Sequence, residues 1–173
     1  MVATDNRSRA LESMALYSGG DARVLVIEAP FYASITAELV SGATAVLGEQ
    51  KVACDRLAVT GALEIPQALR QAIANGLFKP RGSGGMYGGV IALGCVIRGE
   101  TSHYDIVCTM TNHWLMETAV TNAIPLGNGV LTVDTEAQAL QRARGGALGK
   151  GGDAARACLR LMWIAANPGK AEA

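Results

Sequence analysis

Apolar and polar positions along the chain alternate between two kinds of pattern. Arg23 to Ala29 (RVLVIEA) is β-branched and aliphatic with little alternation, as expected of a strand buried on both faces. From Ser34 the repeat lengthens, and Ile35, Leu39, Val40, Ala43 and Leu47 share one helical stripe. Cys54 to Val59 predicts a second strand, Gly61 to Pro66 a turn, and Gln67 to Leu77 a second helix. Lys79 to Gly85 reads as a glycine-rich loop and Gly88 to Ile97 as a third strand. Asp105 caps or opens a long helix running to about Ala123, and Pro125 follows its end. Leu126 to Val133 predicts a fourth strand, which Gly127, Asn128 and Gly129 weaken. Thr135 begins another helix, with Glu136 in the first turn where the helix dipole favours an acid. Five glycines at 145, 146, 149, 151 and 152 separate it from a last helix, Asp153 to Ala166, before Asn167-Pro168-Gly169.

Strands that alternate with segments too long for hairpin turns imply right-handed crossovers. The expected class is α/β: a three-layer α/β/α sandwich around a central four-stranded, mostly parallel sheet. The chain divides into a polar leader over residues 1–22, one domain over 23–166 and a tail over 167–173. The leader is a candidate for an extra edge strand or for packing on a neighbouring subunit.

Composition adds a hint of assembly. Of the 173 residues 50% are hydrophobic and 17% charged, against about 25% charged in typical soluble domains. Either much surface is covered by other subunits or the core is large. Fifteen Lys and Arg balance fifteen Asp and Glu, which argues against a general nucleic-acid binder. Cys54, Cys95, Cys108 and Cys158 form no CxxC pair and read as small buried hydrophobes in a reducing compartment. With only His103 and His113 as histidines, no zinc-type spacing appears. The N-terminus lacks a signal-peptide core and no apolar run suffices to span a membrane. The expected location is the cytoplasm.

In a parallel sheet, ligands gather at the carboxyl ends of the strands. Those positions are Pro30-Phe31-Tyr32, Gly61 to Glu64, Arg98 to His103, and the region after Val133. Gly99 permits a tight path on which successive N–H groups converge on an anion, with Thr101 and Ser102 adding hydroxyls. A helix start close by favours a phosphate, and His103 beside it can move protons. The alternative is a plain helix cap. Phe31 can stack on a planar ring or pack in the core. Glu64 can accept from hydroxyls or serve as a first-turn acid. Arg98 can hold an anion or pair with an acid. Arg142, Arg144 and Lys150 can grip a phosphate or form a solvated basic patch.

Leu93 to Val107, LGCVIRGETSHYDIV, resembles the segment LG-VIRGET-H-D-V of the 6,7-dimethyl-8-ribityllumazine synthase family. Further matches run in order: Phe31, Gly61 to Pro66 (GALEIP), Gly129 to Val133 with Glu136 and Arg142, and Lys150-Gly151-Gly152 with Ala154 and Ala155. The resemblance implies a flavodoxin-like fold and a transferase of riboflavin biosynthesis. Such an enzyme joins 5-amino-6-ribitylamino-uracil to 3,4-dihydroxy-2-butanone 4-phosphate, giving 6,7-dimethyl-8-ribityllumazine, phosphate and water, with no metal or cofactor. It implies His103 as general acid/base and Phe31 stacked on the pyrimidine. Leu63 and Glu64 would flank the ribityl chain, and the backbone of Val96 and Ile97 would meet the heterocycle. Gly99, Glu100 and Thr101 would cradle the phosphate, with Arg142 reaching it from the adjacent subunit. Asn128 and Lys150 would lie at the intersubunit pocket. It also implies a homo-oligomer built on a pentamer, with riboflavin synthase as a further partner in the pathway. A non-catalytic lumazine- or flavin-binding relative, or a scaffold protein, would share the same fold.

The chain departs from the family pattern in places. Pro30 replaces a frequent basic residue, Tyr32 an asparagine, Leu63 a phenylalanine and Asn128 an aromatic. Thr109 to Trp114 (TMTNHW) lacks a usual acid. His113, within that stretch, reads as structural.

Overall fold

In a computed structural model the described residues are 14–78 and 85–170. Four strands, β1 (Arg23–Glu28), β2 (Cys54–Ala58), β3 (Tyr87–Ile97) and β4 (Leu126–Val133), form one sheet in the order β2-β1-β3-β4. Every neighbouring pair is parallel. Five helices cover it: α1 (Ala33–Glu49), α2 (Glu64–Ala74), α3 (His103–Thr121), α4 (Glu136–Ala143) and α5 (Lys150–Ala166), with a 3-10 turn at Gly146–Leu148. Side chains alternate along β1. Val24 and Val26 join the core beneath α1, α4 and α5, while Leu25, Ile27 and Ala29 join the one beneath α2 and α3. The expected three-layer sandwich is present.

Strand positions agree with the hydrophobic pattern to within a residue, but three helices start earlier than their punctuation suggests. Pro66 lies in the first turn of α2, where a missing N–H removes no helical hydrogen bond, so the helix begins at Glu64. It ends at Ala74, with Gly76 at φ 72° closing it. Helix α3 begins at His103 and places Asp105 in its first turn rather than at the cap. Helix α5 begins at Lys150 and contains Gly151 and Gly152. Those two glycines are therefore not a break. A Cβ at Gly151 would collide with the Leu39 carbonyl and one at Gly152 with the Ala147 carbonyl, so both allow close approach. Gly145, at φ 106°, makes the actual turn. The same reasoning explains β4: a Cβ at Gly127 would collide with the Ala154 carbonyl of α5.

The leader forms no strand among its described residues 14–22, and residues 1–13 lie outside the described residues. Tyr17 is buried, and its N–H donates to Leu159 O at 3.1 Å. Arg160 Nη1 donates to Ala15 O at 3.0 Å. This stretch thus packs on its own domain. The expected glycine-rich loop falls largely on residues 79–84, outside the described residues.

Candidate active site at the carboxyl edge of the sheet

From β1 the chain moves outward to β2, then crosses back to β3 on the other side of β1. The loops after β1 and β3 therefore lead to helices on opposite faces, and a crevice opens between them. Strand β3 also outruns β1. Glu28 pairs with Leu93, whereas Gly94 to Ile97 pair only with β4. Val96 and Ile97, half-buried, form the floor of the open edge.

The β1 loop is firmly held. The Thr36 hydroxyl, buried, donates to Ala29 O at 3.2 Å, and Ala29 N–H donates to Leu93 O at 2.9 Å. One residue before Ala29, the buried Glu28 carboxylate accepts from Arg56 Nη2 at 2.7 and 2.9 Å. Phe31 then projects with 73% of its surface exposed, touching Tyr32 edge-on at 5.1 Å between centroids. Core packing, the alternative for Phe31, is overturned: the ring has an open face. Leu63 and Glu64 are half-buried at the start of α2; Glu64 N–H donates to Gly61 O at 3.2 Å, while its carboxylate has no hydrogen-bond partner among the described residues. They form one end of a groove of about 610 Å³ between α2 and α3, which Met110 and Trp114 continue.

After β3 the loop is braced by Arg98, whose Nε donates to Asp134 at 3.1 Å and whose Nη1 donates to Asp105 at 3.3 Å. Its guanidinium lies 4.0 Å over the Tyr104 ring. Pairing with acids, not anion binding, is thus its role in the chain, and the bond to Asp134 pushes its pKa up. Beyond the brace, no described residue accepts from the N–H groups of Gly99, Glu100, Thr101 or Ser102. All four residues are exposed and precede the positive end of α3. Ser102 does not cap the helix through its side chain. Thr101 Oγ1 accepts from His103 N–H at 3.4 Å, and the His103 imidazole is exposed beside the run. Gly99 lies outside the left-handed region, and a Cβ there would meet nothing within 4 Å. Neither the conformation of Gly99 nor its packing within the chain therefore demands glycine.

The remaining predicted residues stand on β4, α4 and α5. Asn128 lies on β4 five residues before its carboxyl end, about 16 Å down the strand at ~3.3 Å per residue. Arg142 is exposed in the last turn of α4. Its Nη1 donates to Gln138 O at 3.1 Å, and no described acid pairs with it. Lys150 is the first residue of α5 rather than part of a break, and its Nζ donates to Asp153 Oδ2 at 2.7 Å. Arg144 is exposed at the end of α4. Among the cysteines, only Cys95 and Cys158 are buried; Cys54 and Cys108 are half-buried, and all four are free. Burial pushes the Cys95 thiol up to about 11, so it supplies no thiolate near neutral pH.

The model of 6,7-dimethyl-8-ribityllumazine synthase matches residues 21–165 of this chain. A 6,7-dimethyl-8-ribityllumazine synthase of Nitrobacter hamburgensis is 46% identical over 167 residues, covering 96% of this chain and 99% of that protein. One of Beijerinckia indica is 48% identical over 155 residues, 88% of this chain and 82% of the relative. The 6,7-dimethyl-8-ribityllumazine synthase 1 of Rhodopseudomonas palustris is 45% identical over 167 residues, 96% of this chain and 99% of the relative. The chain belongs to the lumazine synthase family. Within that family two of its departures touch each other: Asn128 Nδ2 donates to Asn112 Oδ1 at 2.7 Å. Sequence reasoning noted the unusual TMTNHW stretch but missed Asn112 as a residue of interest. Its only signal was its place in that stretch, and nothing local to it pointed to β4. His113 pairs with Glu117 at 3.0 Å on an exposed face of α3, and Glu117 lines the same groove as Leu63 and Glu64.

Proposed function

We propose that the chain condenses 5-amino-6-ribitylamino-uracil with 3,4-dihydroxy-2-butanone 4-phosphate to 6,7-dimethyl-8-ribityllumazine, releasing phosphate and water. The observation that carries the reading is the run of unpartnered N–H groups from Gly99 to Ser102, ending at an exposed histidine in the crevice. Such a run suits a phosphate that must be held and then expelled, and the adjacent imidazole suits the proton transfer that accompanies expulsion.

The amine of the pyrimidine attacks the ketone carbonyl and forms an imine with loss of water. Removal of a carbon-bound proton then drives out phosphate and leaves an enol; its ketone tautomer is attacked by the second amine, which closes the ring with loss of a second water. His103 is the general acid/base. Phe31 offers its exposed face to the pyrimidine, Leu63 and Glu64 flank the ribityl chain, and Val96 and Ile97 meet the heterocycle. Gly99, Glu100 and Thr101 hold the phosphate. Placing both reactants in one crevice supplies a large part of the acceleration.

Arg142 and Asn128 complete the site from an adjacent subunit: Asn128 lies five residues down β4 from its carboxyl end, and no described acid pairs with Arg142. Lys150, neutralised by Asp153, stands near that interface without gripping the phosphate. An assembly also accounts for α3, which buries Val107, Thr111, Leu115 and Ala119 but exposes Ile106, Met110, Trp114, Met116 and Val120. Apolar residues on both sides of a surface helix call for a covering subunit. The closed form is a homopentamer or a larger particle built from it, working in the cytoplasm, with riboflavin synthase as the pathway partner. Among the described residues no helix is long and apolar enough to cross a membrane.

The test is turnover of both substrates, followed by lumazine absorbance with the uncatalysed rate subtracted. A catalysed rate that falls about 10²-fold in His103→Ala, yet stays above background, is expected. A folded oligomer that binds a ribityl-pyrimidine analogue without turnover would replace the enzyme by a binding protein.

A further inference from the structure

Asn112 and Asn128 belong to a one-way chain of hydrogen bonds. Asn112 Nδ2 donates to Cys108 O at 2.8 Å, its Oδ1 accepts from Asn128 Nδ2 at 2.7 Å, and Asn128 Oδ1 accepts from Val130 N–H at 3.0 Å. Both amides are oriented unambiguously. A carbonyl at one end requires an NH2 group and an N–H at the other requires an oxygen, so neither side chain can flip without breaking two bonds. The spacing is built into the elements. Tyr104 and Asn112 are eight residues apart on α3, and Thr132 and Asn128 four apart on β4. These separations are about 12 Å along the helix and about 13 Å along the strand. The Tyr104 hydroxyl interacts with Thr132 at one end of this seam, and Asn112 meets Asn128 at the other. Asn128 lies on the outermost strand with its side chain exposed, flanked by the buried Gly127 and Gly129, which have no side chains to support it. Without Asn112 its amide would lose the one partner that another element supplies among the described residues.

We infer that Asn112 is a positioning residue that sets the amide of Asn128, so that its second N–H and the free lone pair of its oxygen point outward toward the substrate held by the adjoining subunit. The inference rests on the proposed placement of Asn128 at that pocket. In this chain a hydrogen-bonding group of set polarity stands where stacking would otherwise serve, and α3 supplies the part that keeps it from turning.

Steady-state kinetics of Asn112→Leu, Asn112→Asp, Asn128→Ala and the double variant Asn112→Leu/Asn128→Ala test this, with oligomer mass and melting temperature as controls. Aspartate keeps an acceptor for Asn128 and replaces the donor to Cys108 O by a carboxylate oxygen; leucine loses both bonds. Asn112→Leu and Asn128→Ala are each expected to raise KM for the ribitylamino-pyrimidine about 3- to 10-fold, the scale of one neutral hydrogen bond. The turnover number stays within about twofold, Asn112→Asp keeps the wild-type KM, and the double variant is no worse than Asn128→Ala. If Asn112→Leu does not fold, Asn112→Ala reads the same loss. A raised KM in Asn128→Ala with none in Asn112→Leu overturns the inference and leaves the site reading standing. Equal impairment in the leucine and aspartate variants overturns it too, since the bond to Cys108 O would then be the one that matters. An unchanged KM in Asn128→Ala removes Asn128 from the site, and the inference with it.

Discussion

At the scale of single residues, Gly99 separates ligand demands from folding demands. No atom lies within 4 Å of a Cβ placed there and its φ is not in the left-handed region, so Gly99→Ala is expected to melt like the wild type. If the N–H run holds the butanone phosphate, the added methyl group obstructs it and KM for that substrate rises. A lowered melting temperature with unchanged KM would assign Gly99 to packing instead. Cys158 gives a pH dependence. Burial pushes its thiol up to about 12, against an ordinary 9.0. Below pH 9 folded and unfolded chains both keep this proton, and the group contributes no slope. Between about 9 and 12 the unfolded chain loses the proton first, so stability falls as pH rises. Denaturation midpoints at pH 8 and 10 should show a fall that is smaller in Cys158→Ala; equal falls would mean that other groups dominate.

At the scale of elements, what decides the positions of the helices is how closely they approach. Helix α5 lies against β4 and α1 because Gly127 and Gly151 have no Cβ to collide with Ala154 and Leu39, and Gly152 leaves room for Ala147 of the 3-10 turn. Gly127→Ala must push α5 off the sheet or bend β4, and is expected to cost about 1–3 kcal/mol, read as a lowered denaturation midpoint. It is a folding defect, distinguishable from Gly99→Ala by the melting curve. These glycines show why local rules misread them. A glycine weakens an isolated strand or helix, yet here Gly127 and Gly151 permit contacts between elements distant in sequence. Glu64 was legible as a first-turn acid, but its open carboxylate at the end of the α2–α3 groove was not, because the partner wall comes from a helix some forty residues later.

For the whole molecule, the proposed site divides between chains: the crevice residues lie at the sheet's carboxyl edge and Asn128 lies well below it on the outer strand. Mixing subunits carrying His103→Ala with subunits carrying Arg142→Ala therefore offers a direct reading. Each homogeneous variant is impaired, and random co-assembly of a head-to-tail ring restores about one quarter of the sites, because that share pairs two intact halves. Activity recovered after co-assembly, and absent when the variants are mixed without subunit exchange, is the expected outcome. No recovery at all would place His103 and Arg142 in the same site of one chain.

The sequence by itself determined the order of the elements, the parallel α/β sandwich and the family, and it pointed to the Arg98–His103 segment. These depend on periodicity and on contiguous motifs, which neighbouring residues carry together. Tertiary structure decided which of two local readings held. Phe31 is exposed rather than in the core, Arg98 is a brace, Lys150 is already paired, and Asn112 meets Asn128. Each of these depends on what a different strand or helix brings within a few ångströms, and that distance is set by how the layers pack rather than by any residue's own neighbours in the chain.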